Sequence, residues 1–307
     1  MTPDRQDTGS DRVQSPVEDS IRRGLAAYRL GDPGAAARIL GSVLPQLDGE
    51  MPELLERLGG AYLEVRDFER AIDVLERVVS SGRATVRTYG LLAASASELG
   101  RFDEAVRYRE EAVGIAPEDP ALWRDLGIAR RRAGAEREAV TCFREALRLD
   151  PTDAAGVGLE LGRALKTLGE TQRAVDAYRD AVARHPGCPE LWSDLAILYS
   201  DLGLFAESDE AVRQAIRLKP NNAAAWHTIA TNTLKQGKGD LAQRAYQRMM
   251  ELNPDFADEI LSWVANTAGL SPGEFAAPML ATASTSEGRR RGRILPFRSR
   301  ADRSARS

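Results

Sequence analysis

The chain contains two histidines and two cysteines, residue types that often carry acid–base, nucleophilic or metal chemistry. His185 and Cys188 are spaced as His-x-x-Cys, but tetrahedral zinc takes four ligands and no further His or Cys lies nearby in the sequence. His227 could act as a general base only with an orienting partner and a nucleophile, and the sequence points to neither. We therefore predict no catalytic residue and no metal site.

Nucleotide-binding loops are also missing from the sequence. Neither Gly-x-Gly-x-x-Gly nor Gly-Lys-Ser/Thr occurs, so we expect no cofactor and no enzymatic activity. The cysteine usage fits a reduced compartment, the first 20 residues are polar, and no run of about 18 apolar residues occurs. We therefore predict a cytoplasmic protein without a transmembrane segment, and the large excess of Arg over Lys favours a bacterial source.

Glycines and prolines instead recur with a period of 34 or 35 residues. Two series keep this step: Gly100, Gly134, Gly169, Gly203 and Gly237, and Pro117, Pro151, Pro186, Pro220 and Pro254. Between them, Trp123, Leu126 and Gly127 share one face of a helix. Ala139 and Phe143 share one face of a second helix. The sequence therefore predicts a chain of helix pairs, each closed by glycine and ended by proline.

This pattern resembles the tetratricopeptide repeat, whose consensus is Trp-x-x-Leu-Gly-x-x-Tyr, then Ala-x-x-x-Phe-x-x-Ala, then Pro, over about 34 residues. We read seven copies, which begin near Val17, Pro52, Val86, Pro120, Ala155, Pro189 and Ala223. The resemblance implies an all-α, right-handed superhelical solenoid of about seven helix-turn-helix repeats. The tryptophans take core positions of the repeat, so we expect a large loss of stability for Trp192→Ala.

The chain therefore divides into three predicted regions. Residues 1–16 form a disordered N-terminal arm, and residues 17–270 form the solenoid, which includes a C-terminal capping helix around Ile260, Trp263 and Thr267. Residues 271–307 form a disordered tail rich in arginine.

The resemblance also implies a working surface, because the first helices of such repeats line a concave groove. Groove positions in the middle copies are basic with apolar residues between them. We predict that they bind an acidic or acidic-apolar segment of another protein, since crowded cations would repel one another until an anion joins them. The alternative is a solvated charged wall. The candidate residues are Arg124, Ile128, Arg131, Leu159, Arg163, Lys166 and His227.

The tail offers a second interaction. Eight arginines fall in the last 19 residues, beginning with Arg289, Arg290, Arg291 and Arg293, whereas the whole chain has a net charge of −4. Such an arm could tether the protein to nucleic acid or anionic lipid.

The leading functional prediction is a non-catalytic scaffold or adaptor for protein–protein interaction. The alternatives are a tail-tethered adaptor, an accessory subunit of an enzyme complex, and a self-assembling repeat protein that forms a homo-oligomer.

Overall fold

All regular structure in the described part of the chain is helical. The computed structural model describes residues 16–46 and 51–252. The helices are α1 (Pro16–Arg29), α2 (Pro33–Val43), α3 (Pro52–Glu64), α4 (Phe68–Ser80), α5 (Val86–Glu98), α6 (Phe102–Ile115), α7 (Pro120–Arg132), α8 (Glu136–Leu149), α9 (Ala154–Thr167), α10 (Thr171–Arg184), α11 (Pro189–Asp201), α12 (Phe205–Leu218), α13 (Ala223–Lys235) and α14 (Gly239–Leu252). A 3-10 turn, Leu44–Gln46, follows α2.

These helices form seven antiparallel pairs, which confirms the predicted helix-turn-helix copies. The first helix of each pair begins within one residue of the start that the period predicted. The odd-numbered helices are called first helices below, and the even-numbered ones second helices. The predicted capping helix, the arginine tail and all but the last residue of the predicted N-terminal arm lie outside the described residues.

The chain forms two compact units, Met1–Leu149 and Asp150–Ser307. The N-terminal unit contains α1–α8 and the C-terminal unit contains α9–α14 in the described residues. Within each unit, every first helix packs on its own second helix and the next copy follows directly.

In several pairs, a small residue on the first helix and a bulky one on the second set the packing. A Cβ built on Gly127 would lie 2.6 Å from the ring of Phe143, and one on Gly59 would lie 2.6 Å from Leu75. Phe143 and Leu75 are fully buried. The glycines therefore let the two backbones approach closely enough for these side chains to fill the core.

The turn inside each pair requires a left-handed residue. Glycine takes this conformation in most copies, for example Gly134 at φ 80° and Gly203 at φ 74°. In the second copy the same position is occupied by Arg66, at φ 63°. For a residue with a Cβ this conformation costs about 1–2 kcal/mol.

The tryptophans lie at the border of the core rather than in its centre, which corrects the prediction for Trp192. The side chains of Trp123, Trp192 and Trp226 are only partly buried. Each indole Nε1 donates to the carbonyl of the proline that ends the preceding copy, at distances of 2.7, 2.8 and 3.1 Å. The polar edge of each indole is satisfied at the surface, as is usual for this side chain. Trp263 lies outside the described residues.

Candidate partner-binding surfaces

Neighbouring first helices lie side by side within each unit, so their outward side chains form a continuous face. α3 contacts α5 in the N-terminal unit, and α11 contacts α13 in the C-terminal unit. We call these surfaces the N-terminal and the C-terminal first-helix face. The predicted groove residues lie on helices α7, α9 and α13.

The N-terminal first-helix face contains a cleft of about 540 Å³. Its floor is apolar and comes from three of the four first helices of the unit, with Leu63 on α3, Ala94 on α5, and Ile128 and Ala129 on α7. A surface of this kind excludes water from an apolar side chain laid against it.

Charged residues border this cleft and are largely paired across it. Arg109 Nη1 lies 3.0 Å from Asp125 Oδ2, and Arg66 Nη2 lies 3.7 Å from Glu98 Oε2. The guanidinium of Arg66 also sits over the ring of Phe68, 5.4 Å from its centroid. The cleft therefore combines an apolar floor with ion pairs that a ligand could enter or replace.

The strained residue of the N-terminal unit lies at this cleft. Arg66 borders it and takes the left-handed position that glycine takes in the other copies. Backbone strain tends to persist where a side chain is needed in a particular place. At this position the arginine supplies the stacking contact and the ion pair that a glycine would lack.

The structure places the predicted residues of α7 in different settings. Ile128 lines the cleft floor, as a binding role requires. Arg124 Nη2 lies 3.5 Å from Asp125 Oδ1, and Arg131 Nε lies 3.9 Å from Glu136 Oε2. Both arginines are half-buried.

On the C-terminal first-helix face, Arg163 is the most firmly held of the predicted residues. Its Nε donates to Asp194 Oδ2 at 3.1 Å and its Nη1 donates to Glu160 Oε1 at 3.3 Å. The hydroxyl of Tyr178 donates to the same Asp194 oxygen at 3.3 Å. Burial, reinforced by the charge of Asp194, raises the pKa of the Tyr178 phenol. These contacts fix Arg163 in place.

Two lysines flank a single carboxylate on the same face. Lys166 Nζ lies 4.0 Å from Asp201 Oδ2, and Lys235 Nζ lies 3.9 Å from Asp201 Oδ1. Lys235 Nζ also donates to the Ser200 carbonyl at 3.2 Å. Two positive charges around one negative charge leave a net positive site at the surface.

Leu159 and His227 are half-buried on α9 and α13, respectively. Burial lowers the pKa of the His227 imidazole. The other histidine, His185, lies with Nε2 2.8 Å from the Thr152 carbonyl, a contact that explains its position without a ligand. Within residues 16–46 and 51–252, no cluster of His, Cys, Asp and Glu could hold a metal ion.

These contacts correct the expected repulsion among the four groove cations. Each of them has a carboxylate of its own unit within 4.0 Å: Asp125 for Arg124, Glu136 for Arg131, Asp194 for Arg163 and Asp201 for Lys166. An anionic partner would therefore compete with these carboxylates instead of relieving an empty cationic groove. The proximity of α7 and α9 stays a prediction.

Sequence reasoning missed Arg109 and Asp125, which form the cleft's central ion pair. Arg109 stands where the repeat consensus has an aromatic residue, and Gly90 leaves room beside it, since a Cβ there would lie 3.9 Å from Arg109 Nη1. An arginine in an aromatic position was the available signal. Asp125 occupies a helix position next to the predicted groove positions, and its sequence context contained no signal for this ion pair.

In the part of the chain that the structure describes, no helix has both the length and the apolar character needed to cross a membrane.

Protein-family models match this chain along most of the described residues. Residues 21–85 and 86–119 match two tetratricopeptide repeat models, and residues 116–255 match the model of the cilia and flagella-associated protein 70 C-terminal domain.

Among curated relatives, protein bimA of Emericella nidulans is 25% identical over 199 residues, which are 65% of this chain and 24% of bimA. The chain thus spans about a quarter of that relative's length.

Solved structures show the same fold. The C-terminal part of a repeat protein from Cytophaga hutchinsonii superposes with a TM-score of 0.63 and 15% identity, covering 76% of this chain and 95% of that one. YrrB, described as a protein of this kind with an unusual peptide-binding site, gives a TM-score of 0.52 and 17% identity, covering 62% of this chain and 98% of that one. With its periodic sequence, its helix pairs and these matches, the chain belongs to the tetratricopeptide-repeat family.

Proposed function

We propose that this chain is a non-catalytic scaffold that holds a segment of a partner protein on its first-helix faces. The cleft of the N-terminal unit carries the proposal, because an apolar floor bordered by directed charged groups is the usual composition of a peptide site. YrrB, which is similar in fold, is described as having a peptide-binding site.

The partner segment is acidic-apolar. An apolar side chain would cover Ile128 and Ala129 on the cleft floor, and a carboxylate would reach the exposed Arg132 at its border. Arginine suits this contact because its planar guanidinium donates two parallel hydrogen bonds to one carboxylate. On the C-terminal face, the net positive site at Lys166 and Lys235 favours the same chemistry.

The apolar contact supplies most of the affinity. Exposed ion pairs contribute about 0–1 kcal/mol each, and here the partner's carboxylates must also compete with Asp125 and Asp194. A buried anchor side chain at the centre of an interface is worth about 2 kcal/mol or more. Charge therefore orients the segment and Ile128 anchors it.

The test begins with affinity capture of a partner from the native cell and mapping of its binding segment to a peptide. Fluorescence anisotropy with the full chain then measures Kd for wild type, Ile128→Asp and the double variant Arg124→Glu/Arg163→Glu. We expect Ile128→Asp to weaken binding at least about tenfold and the double variant to weaken it less.

The matched control is Arg144→Glu, an exposed charge reversal on the second helix α8. It should change Kd less than about twofold, because exposed pairs are weak. Wild-type affinity in both first-helix variants would refute the proposal. A captured partner that is an enzyme would make the chain an accessory subunit, and sedimentation of the pure chain tests self-assembly.

A tail tether is the second candidate, favoured by the eight arginines among the last 19 residues. Truncation after Gly288 should abolish binding to duplex DNA or to anionic vesicles, and binding by the full chain should fall steeply with salt. Equal binding by the truncated chain would exclude the tether.

A further inference from the structure

The N-terminal unit has a second cleft, of about 650 Å³, between its second helices α2 and α4. It lies apart from the first-helix face, since only the end of α3 reaches it, through Tyr62 and through Val65, which follows the helix. The wall formed by α2 includes three residues with little or no side chain, Gly34, Ala37 and Gly41, beside Arg38 and Ser42. We call it the second-helix cleft.

Comparison among the copies shows what distinguishes the α2 wall of this cleft. Gly41 occupies a helix position at which every other copy carries a longer polar side chain. The equivalent residues are Glu76, Glu110, Arg144, Arg179, Arg213 and Gln247. The missing side chain opens the cleft.

The same position has a pairing role elsewhere in the N-terminal unit. At the junction of the third and fourth copies, Arg130 Nη2 donates to Glu110 Oε1 at 2.8 Å. The residues equivalent to this pair at the junction of the first and second copies are Tyr62 and Gly41. A Cβ on Gly41 would collide with the Tyr62 hydroxyl, so the phenol oxygen points at the bare glycine.

Tyr62 therefore brings an unused donor to the cleft. Its side chain is 7% exposed, and its hydroxyl has no hydrogen-bond partner among residues 16–46 and 51–252. A bound acceptor would take the place of the water that reaches this hydroxyl at the cleft.

The charges of the cleft favour one carboxylate and no more. Arg38 on α2 and Arg70 on α4 face it, together with Asp67 and Asp73. Arg70 Nη1 is tied to Asp67 Oδ2 at 3.2 Å, whereas Arg38 forms no ion pair within the described residues. The open donors are thus the Tyr62 hydroxyl and the Arg38 guanidinium, beside apolar surface.

We propose that the second-helix cleft binds a short partner segment that presents one carboxylate next to one apolar side chain. The carboxylate accepts hydrogen bonds from Tyr62 and Arg38. The apolar side chain lies against Ala37, Leu44 and Val74, and Gly41 lets the segment approach the backbone of α2.

Three phenylalanine derivatives of different charge test this chemistry on the full chain: N-acetyl-phenylalaninate, N-acetyl-phenylalaninamide, which is nearly equal to it in size, and phenylalaninamide. Two-dimensional NMR follows the tyrosine ring signals and the Gly34 and Gly41 amide signals during titration. We expect saturable shifts with the anion, about three- to tenfold weaker binding of the neutral amide, and the weakest binding of the cation.

Variants then assign the contact. Tyr62→Phe removes only the hydroxyl and should reduce the affinity for the anion about three- to tenfold, and Arg38→Gln should act in the same direction. Gly41→Glu installs the carboxylate of the second and third copies and should abolish binding. Since a side chain at position 41 crowds Tyr62, circular dichroism first checks that Gly41→Glu folds. If this variant does not fold, Tyr62→Phe and Arg38→Gln decide between the outcomes.

The control is the double variant Arg124→Glu/Arg163→Glu, which changes the first-helix faces and should leave probe binding unchanged. This double variant should weaken binding of the partner peptide and leave probe binding at the second-helix cleft unchanged. The two proposals can therefore fail independently of each other. Equal affinity for the three probes, or undiminished binding by Tyr62→Phe, would overturn the proposal. So would self-association that Arg38→Gln abolishes, because a second copy would then be the occupant.

Discussion

The two first-helix faces use the same backbone and the same kinds of charged side chain with different results. In the N-terminal unit, the ion pairs Arg109–Asp125 and Arg66–Glu98 border an open cleft with an apolar floor. In the C-terminal unit, Arg163 is fixed by hydrogen bonds that lie along the surface. The two faces therefore carry similar charges, and on the N-terminal face a cleft with an apolar floor accompanies them.

The interior of each unit also contains a buried polar network. In the C-terminal unit, Asn232 Nδ2 donates to Ser208 Oγ at 2.8 Å, and Ser208 Oγ donates to the Ala196 carbonyl at 2.7 Å. In the N-terminal unit, the buried carboxylate of Glu56 accepts from the hydroxyls of Thr85, at 2.5 Å, and Thr88. Buried polar networks of this kind favour one arrangement of neighbouring helices.

The largest expected effect contrasts a core aromatic with a border aromatic. Phe143→Ala should lower the free energy of unfolding by about 3–5 kcal/mol, because the side chain is fully buried against Gly127. Trp192→Ala should cost about half as much or less, because the indole is only partly buried. Urea unfolding followed by circular dichroism measures both, and equal losses would contradict the assignment of Trp192 to the border.

A smaller effect tests the polar interior of the C-terminal unit. Asn232→Ala removes the donor to Ser208 and Asp209 from a fully buried site and should cost about 1–3 kcal/mol. The exposed amide Asn221 in the same unit provides the control, and Asn221→Ala should cost less than about 0.5 kcal/mol. The same urea titration compares them, and similar values would show that the buried network does not contribute.

Exchanging arginine and glycine at the left-handed turn position should change the free energy of unfolding with opposite sign in the two units. Arg66→Gly should stabilise the N-terminal unit by about 1 kcal/mol, because glycine adopts φ 63° without strain. Gly203→Arg, the reverse exchange in the C-terminal unit, should destabilise by about the same amount. If Arg66→Gly lowers the melting temperature, the stacking and ion-pair contacts of Arg66 outweigh its backbone strain.

The weakest expected effect is a pH dependence of stability that arises in the C-terminal unit. Both histidines lie in the C-terminal unit, and burial lowers the pKa of His227 in the folded state. The unfolded chain therefore binds a proton more readily, so stability is present above the unfolded pKa of about 6.5 and declines as pH falls from there toward the folded pKa. Chemical denaturation between pH 7.5 and 5 should show this loss in wild type and a smaller one in His227→Gln. An unchanged profile would exclude His227 as its source.

Local signals in the sequence determine most of the fold and only part of the site. Helix starts and turns follow from residues such as Gly134 and Pro120, which act on their own backbone. Ion pairs such as Arg163–Asp194 join residues of neighbouring copies. Which of the many charged residues pair in this way could not be read from the sequence. Ile128 was predicted because it occupies a groove position of the repeat. The second-helix cleft was not predicted, because it depends on a side chain that is missing from the first copy at Gly41.

The hydrogen bond between each tryptophan and the preceding proline carbonyl lets the boundaries between copies be observed one at a time. Trp123 marks the boundary between the third and fourth copies, Trp192 that between the fifth and sixth, and Trp226 that between the sixth and seventh. If a boundary opens, its indole proton exchanges with water and its emission shifts to longer wavelength. Hydrogen exchange of these indole protons during unfolding would therefore show which boundary opens first.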